Sequence, residues 1–199
     1  MDPLGKQELL NFFNRHLRDF GDTPQAVRWT PEGQMRRYKT FLTITGDLSG
    51  KTILDFGCGK GDFYGFLRDH GISVSYWGID VNENLITLAR QKYPRTRFIA
   101  MDIDEESLDL RFDVIIAIGV FNFRIAGIEE SAKRLLKKLF LLCRESLHAN
   151  FLTYYVPRRN VELFYVKPEA ILTFALTEIS PALTLRHIQE DIYLSVYAS

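Results

Sequence analysis

An α/β fold built on a doubly wound, mostly parallel sheet is what this 199-residue sequence predicts, on three observations. From residue 48 onward, short β-branched runs alternate with longer helical segments, the pattern of βαβ units. The first of these runs, "ILDFGCGKGDF", meets an acid and then breaks into glycines at alternate positions, the mark of a strand turning sharply into a helix. Two runs near the end, "ALTLRHI" and "DIYLSVYA", are separated only by Gln189 and Glu190. A link that short cannot make a parallel crossover, so these two strands pair antiparallel.

Taken in order, residues 6–20 carry Leu9, Leu10, Phe13, Leu17 and Phe20 at helical spacing, and residues 32–45 repeat the pattern with Met35, Tyr38, Phe41 and Leu42. The prolines and glycines of "GDTPQAVRWTPEG" punctuate the interval between them. Residues 1–47 therefore read as a helical lead-in or lid, and residues 48–199 as the sheet domain. Strands are expected at about 51–56, 74–79, 97–101 and 112–118, with helices at about 62–70 and 82–92. A long helix over about 127–146 follows, its stripe running from Ile128 through Leu135 and Leu139 to Cys143. The strand "HANFLTYY" and the helix "KPEAILTFALTEI", with Pro168 in its first turn, lead into the closing pair. The total is seven strands, the last of them reversed.

Hydrophobic residues make up 46% of the chain and charged residues 25%, which suits a packed domain rather than a disordered one. Lys plus Arg equals Asp plus Glu, 25 each, so the chain lacks the positive field that non-specific nucleic-acid binding requires. The N-terminus has no basic stretch followed by an apolar core, and no window approaches the roughly 18 apolar residues of a membrane span. A cytoplasmic location without membrane contact is expected. Two cysteines and four scattered histidines give neither a disulfide framework nor a metal site.

Gly57, Gly59 and Gly61 give G-x-G-x-G, with Asp62 standing where the dinucleotide pattern G-x-G-x-x-G has its third glycine. Asp55 precedes the turn, so acids flank both ends. That suits a ligand with an ammonium group better than a pyrophosphate. About 20 residues further on, Asp80 ends the second strand, where a carboxylate can accept both hydroxyl hydrogens of a ribose. Asp102 ends the third strand, positioned to accept from an adenine amino group, with Ile103 as an apolar wall. Asp80 also has a competing reading as a helix cap, with Glu83 completing a capping box.

These residues resemble the first three motifs of the class I S-adenosylmethionine-dependent methyltransferases: "DFGCGKG", the ribose acid Asp80 and the adenine acid Asp102. "FDVIIAIGVFN" resembles the family's fourth strand, and the closing helix with its antiparallel strands resembles the family's C-terminal end. "GDTPQAVRW", "ANFLTYYV" and "LRH" are similar to segments of small bacterial members of unassigned substrate. The resemblance implies a Rossmann-like fold with S-adenosyl-L-methionine as cofactor. It places Gly57, Cys58 and Gly59 against the methionine portion and ribose, Asp55 near the ammonium, and Val81 beside the adenine. Ile118 and Gly119 would border the sulfonium. The core motifs leave the cofactor carboxylate without a partner, and Arg36 or Arg37 of "MRRYK" on the lid could reach it.

On the acceptor side, His187 is the candidate general base by residue type. Asn122 and Asn150 are candidate donors to a substrate carbonyl, although turn formation explains them equally. Tyr154 and Arg158 of "TYYVPRR" are candidates for an anionic or sugar substrate. His148, expected to begin a strand, could serve as a cap. "GVFNF" lacks the proline-bearing tetrapeptide of amino-methylating nucleic-acid enzymes. With zero net charge, this points to a small-molecule acceptor and away from nucleic acid. The implied function is methyl transfer yielding S-adenosylhomocysteine. Two alternatives stay open: a cofactor-binding but inactive interaction or regulatory protein, and an NAD-dependent oxidoreductase, which the glycine spacing disfavours.

Overall fold

The structure, a computed structural model, describes residues 2–198. Its sheet is built from β1 (Thr52–Phe56), β2 (Ser75–Asp80), β3 (Arg97–Ala100), β4 (Phe112–Ala117), β5 (Cys143–Thr153), β6 (Tyr165–Val166), β7 (Leu183–Ile188) and β8 (Asp191–Tyr197). The order is β3-β2-β1-β4-β5-β8-β7, with the two-residue β6 pairing β5 off this path. Strands β1 to β6 run parallel to one another, whereas β8 runs antiparallel to both β5 and β7. The strand order reverses between β1 and β4, which puts the crevice for a ligand at the carboxyl ends of those strands.

Helices cover both faces, as a buried parallel sheet requires. On one face Leu54, Ile115 and Leu147 pack against α5 (Ile128–Leu141) and α6 (Pro168–Glu178). On the other, Ile53, Val114 and Ile116 meet α2 (Pro31–Thr45), α3 (Asp62–Asp69) and α4 (Glu83–Lys92). The alternation of Ile53 and Leu54 between faces is the two-residue period of a strand, and it sends Asp55 to the α2/α3 side. The first helix, α1 (Pro3–Phe20), is capped by Asp2, whose carboxylate accepts from the Leu4 and Gly5 amides. A 3-10 turn over Pro24–Val27 carries the chain from α1 to α2.

Three elements differ from the sequence expectation. The long helix stops at Leu141, and Cys143 already pairs with Phe112 in the sheet, so β5 begins inside the stretch read as helix. The apolar stripe continues across that junction because both elements bury the same face. Consequently His148 lies mid-strand and does not cap one. It is buried between the Ser195 and Ser146 hydroxyls at 2.8 and 2.9 Å, and burial lowers its pKa to about 4. Strand β6 was invisible in the sequence because two residues carry no period. Among the described residues, no helix is long and apolar enough to cross a membrane.

Candidate active site

One cavity opens at the carboxyl ends of β1 to β4 and receives residues from each. The turn after β1 holds Gly57, Gly59 and Gly61 at φ of +73°, +53° and +76°, conformations that L side chains rarely adopt. A Cβ on Gly57 would stand 2.4 Å from Val120 Cγ2, and one on Gly61 would stand 2.8 Å from Phe98. Gly59 has only Val27 at 3.5 Å, so its backbone faces the cavity with little in front of it. The turn is tied down from below, since the Gly57 and Cys58 amides both donate to the Ile79 carbonyl.

The Asp80 carboxylate accepts from the Gly59 amide at 2.9 Å and the Asn82 amide at 2.9 Å, joining the glycine turn to the end of β2. Burial raises its pKa, against the pull of those amides. The cap of α4 is Asn82, which accepts from Asn84 and Leu85. Asp80 is therefore not the helix cap, and its remaining lone pairs face the cavity that it lines. Asp55, 2% exposed, accepts from the Tyr76 hydroxyl. Burial pushes its carboxyl up to about 7, with Asp80 and Asp62 acting in the same direction. The neighbouring Cys58 thiol is likewise pushed well above its usual range by burial.

At the end of β3, Asp102 makes an ion pair with Lys6 of α1 at 2.7 Å and accepts from the Asp104 amide at 3.0 Å. Asn14 of α1 accepts from the side chains of both Asn82 and Asn84. The first helix thus lies across the cavity, to which it contributes Leu9, Leu10 and Phe13. From the segment before α2, Trp29 closes on Gly119, where a Cβ would stand 2.4 Å from the indole. The chain between α1 and α2 is pinned to the glycine turn through Asp22, which pairs with the buried Lys60 at 3.0 Å and with Lys92 at 2.9 Å.

Of the residues expected at the cofactor, Asp55, Gly57, Cys58, Gly59, Asp80, Val81, Asp102, Ile103, Ile118 and Gly119 all line this one cavity. Arg37 does not line it. Its guanidinium is committed to the fully buried Asp191, at 2.9 and 3.1 Å, and packs 5.0 Å from the Trp29 ring centroid. Asn150 is wholly buried one step further along, donating to Asp191 at 2.9 Å and accepting from the Gly119 amide at 2.7 Å. It positions the loop after β4 from behind.

His187 is exposed on the edge strand β7, paired with Ile192 and outside the cavity lining. Asn122 follows β4 with a buried side-chain oxygen that makes no hydrogen bond, while its carbonyl accepts from the Phe164 amide. Tyr154 and Arg158 sit after β5, Tyr154 on a separate cavity. Residues that the sequence reading left out are Trp29, Gln34, Tyr38, Lys60 and Phe123, all on the lining. The apolar stripe of α1 was visible in the sequence, but nothing in the spacing showed that Trp29 would meet Gly119.

A glycine turn at a strand-to-helix junction, three acids on adjacent strand ends and a switch in strand order define a nucleoside-binding α/β protein. Comparison with known proteins sharpens the class. Residues 53–144 match the family described as "Methyltransferase domain". A putative methyltransferase, 235L, of Invertebrate iridescent virus 6 is 26% identical over 166 residues, covering 78% of this chain and 57% of that protein. The ubiquinone biosynthesis O-methyltransferase of Coxiella burnetii is 32% identical over 118 residues, 53% of this chain and 49% of that one. The chain thus spans about half the length of the curated relatives it matches. Magnesium protoporphyrin IX methyltransferase from Synechocystis PCC 6803, solved with bound S-adenosylmethionine, shares the fold at a TM-score of 0.70. Identity there is 18%, with 98% of this chain and 97% of that one covered. Residues 53–144 are thus similar to a methyltransferase domain, and the whole described chain shares the fold of a structure solved with S-adenosylmethionine.

Proposed function

We propose that the protein transfers a methyl group from S-adenosylmethionine to a small-molecule acceptor. The observation that carries this reading is the convergence of Asp55, Asp80 and Asp102 on one cavity around a glycine turn. Three carboxyl groups in a partly apolar enclosure, acceptors when ionised, fit a ligand rich in donors, as an amino acid joined to a ribose and an aminopurine is. Asp80 would hold the ribose hydroxyls, Asp102 with Ile103 the adenine, and Asp55 the ammonium. Gly57 and Gly59 let the backbone approach. When bound, S-adenosylmethionine supplies a methyl group activated by positively charged sulfur.

The chain's own part is binding, orientation and exclusion of water. Leu9, Leu10, Phe13 and Trp29 supply an apolar cover, and Ile118 with Gly119 borders the end of the cavity nearest the lid. Residues 1–47 act in this reading as a lid over the domain at 48–199. Zero net charge favours a small acceptor over nucleic acid. A cytoplasmic setting fits two cysteines that are both free and buried.

Calorimetry with S-adenosylmethionine, S-adenosylhomocysteine and NAD tests the assignment. The first two should bind and NAD should not, and Asp80→Ala should weaken binding by about 1–3 kcal/mol through loss of charge-assisted hydrogen bonds. Binding of NAD alone, or unchanged affinity in Asp80→Ala, would overturn it.

A further inference from the structure

A second cavity lies behind a two-ring wall from the first. Phe121 lines the first and Phe151 the second, their rings stacked 5.3 Å apart at 13° and each 1% exposed. Both cavities are therefore built at the carboxyl ends of parallel strands, the second beside β5 between α5 and α6. Its floor is apolar, formed by Ala132, Phe151 and Ile171, all buried. Tyr154 and Phe164 add aromatic walls, and the mouth opens past Lys167 and Ala170, both exposed.

Around that mouth the cations Lys133, Arg159 and Lys167 outnumber the carboxylates Glu129 and Glu169. The Lys167 ammonium lies 5.5 Å from the Tyr154 ring centroid and the Arg159 guanidinium 4.0 Å from it. Among the described residues, Arg159 and Lys167 make no close ion pair, although the Lys167 charge acts on Glu169. The one acid on the lining, Glu129, is neutralised by Lys133 at 2.7 Å. Glu169, next to the mouth, is held by the Tyr155 hydroxyl at 2.6 Å. A ring flanked by cations above an apolar floor is suited to a flat apolar body carrying negative charge at its rim.

We propose that this cavity is a second binding site and takes an anion with a planar aromatic body. The proposal does not depend on methyl transfer. Its probe is 2-naphthoate, followed by fluorescence and calorimetry on the full chain, with naphthalene-2-carboxamide as the neutral counterpart. Naphthoate should bind saturably and about tenfold more tightly than the amide, the order expected of one charge-assisted contact. Ala170→Trp, which blocks the mouth from an exposed position, and Lys167→Glu, which reverses its charge, should each weaken naphthoate at least about tenfold while leaving the melting temperature unchanged. Saturating S-adenosylhomocysteine should leave naphthoate binding intact. No saturable binding, equal affinity for the amide, indifference to Ala170→Trp, or displacement by S-adenosylhomocysteine would each overturn the second site. Failure of S-adenosylhomocysteine to bind at all would instead count against the methyl-transfer reading, and the two variants would still decide this one.

Discussion

The buried acid at the end of β1 gives a sharp prediction. Asp55 lies between the sheet and α2, and burial raises its carboxyl from the ordinary 3.8 to about 7, a change worth about 4 kcal/mol across the full titration. A folded-state pKa above the unfolded one means the folded chain binds the extra proton. The stability from this group is fully present below pH 3.8 and is lost as pH rises through 7. Asp55→Asn keeps the shape, still accepts from Tyr76 and never ionises. Integrating from pH 5.5 to pH 8.5, the variant should gain about 2 kcal/mol more relative to the parent at the higher pH than at the lower. Urea unfolding of both proteins at the two pH values measures this directly, and other titrating groups cancel in the double difference. An equal effect at both pH values would refute the reasoning, because Asp55 would then be ionised, or unperturbed, throughout. Saturating S-adenosylmethionine should flatten the parent's pH dependence if its ammonium meets Asp55, since a neighbouring cation favours the charged carboxylate.

Gly57→Ala must fit a Cβ 2.4 Å from Val120 at φ +73°, and should cost about 2–5 kcal/mol in urea unfolding while abolishing cofactor binding by calorimetry. Asp191→Ala leaves the Arg37 guanidinium, with a side chain 11% exposed, without its buried partner, and should cost about 3–5 kcal/mol by the same measurement. His187→Ala, at an exposed edge position, should stay within about 0.5 kcal/mol of the parent and leave turnover on any identified acceptor unchanged. A fall in that turnover would return His187 to the site.

Strand ends were the most legible part of the molecule. Apolar runs of parallel strands buried on both faces are unmistakable, and the acids at their carboxyl ends stand out against them. The glycine turn and Asp55, Asp80 and Asp102 consequently emerged by position alone. The junction at Leu142 was not legible, because helix and strand bury one continuous stripe there and the period changes within a few residues. Long-range pairing was less legible still. Nothing in the order of residues tells that Lys6 meets Asp102, or that Asp22 meets Lys60, since such contacts are fixed only once α1 has folded back over the sheet.

Arg37 and Asn150 show how residue chemistry can be read correctly while the partner escapes. An arginine fork matches a carboxylate, and the carboxylate it meets is Asp191, at the start of β8. Asn150 presents an amide to a polar group, and that group is the Gly119 amide with Asp191 on its other side. Together they form a hydrogen-bonded line from α2 through β8 and β5 to the loop that borders the cavity. The Asn150–Asp191 link is buried and the links at either end are part-buried, so all three are little screened by water and costly to leave unmade. The reversed strand β8 is what brings Asp191 beside Asn150 and within reach of α2. The antiparallel closing pair, visible in the sequence only as two runs with a short link, thereby holds Gly119 in place at φ +71° beneath Trp29.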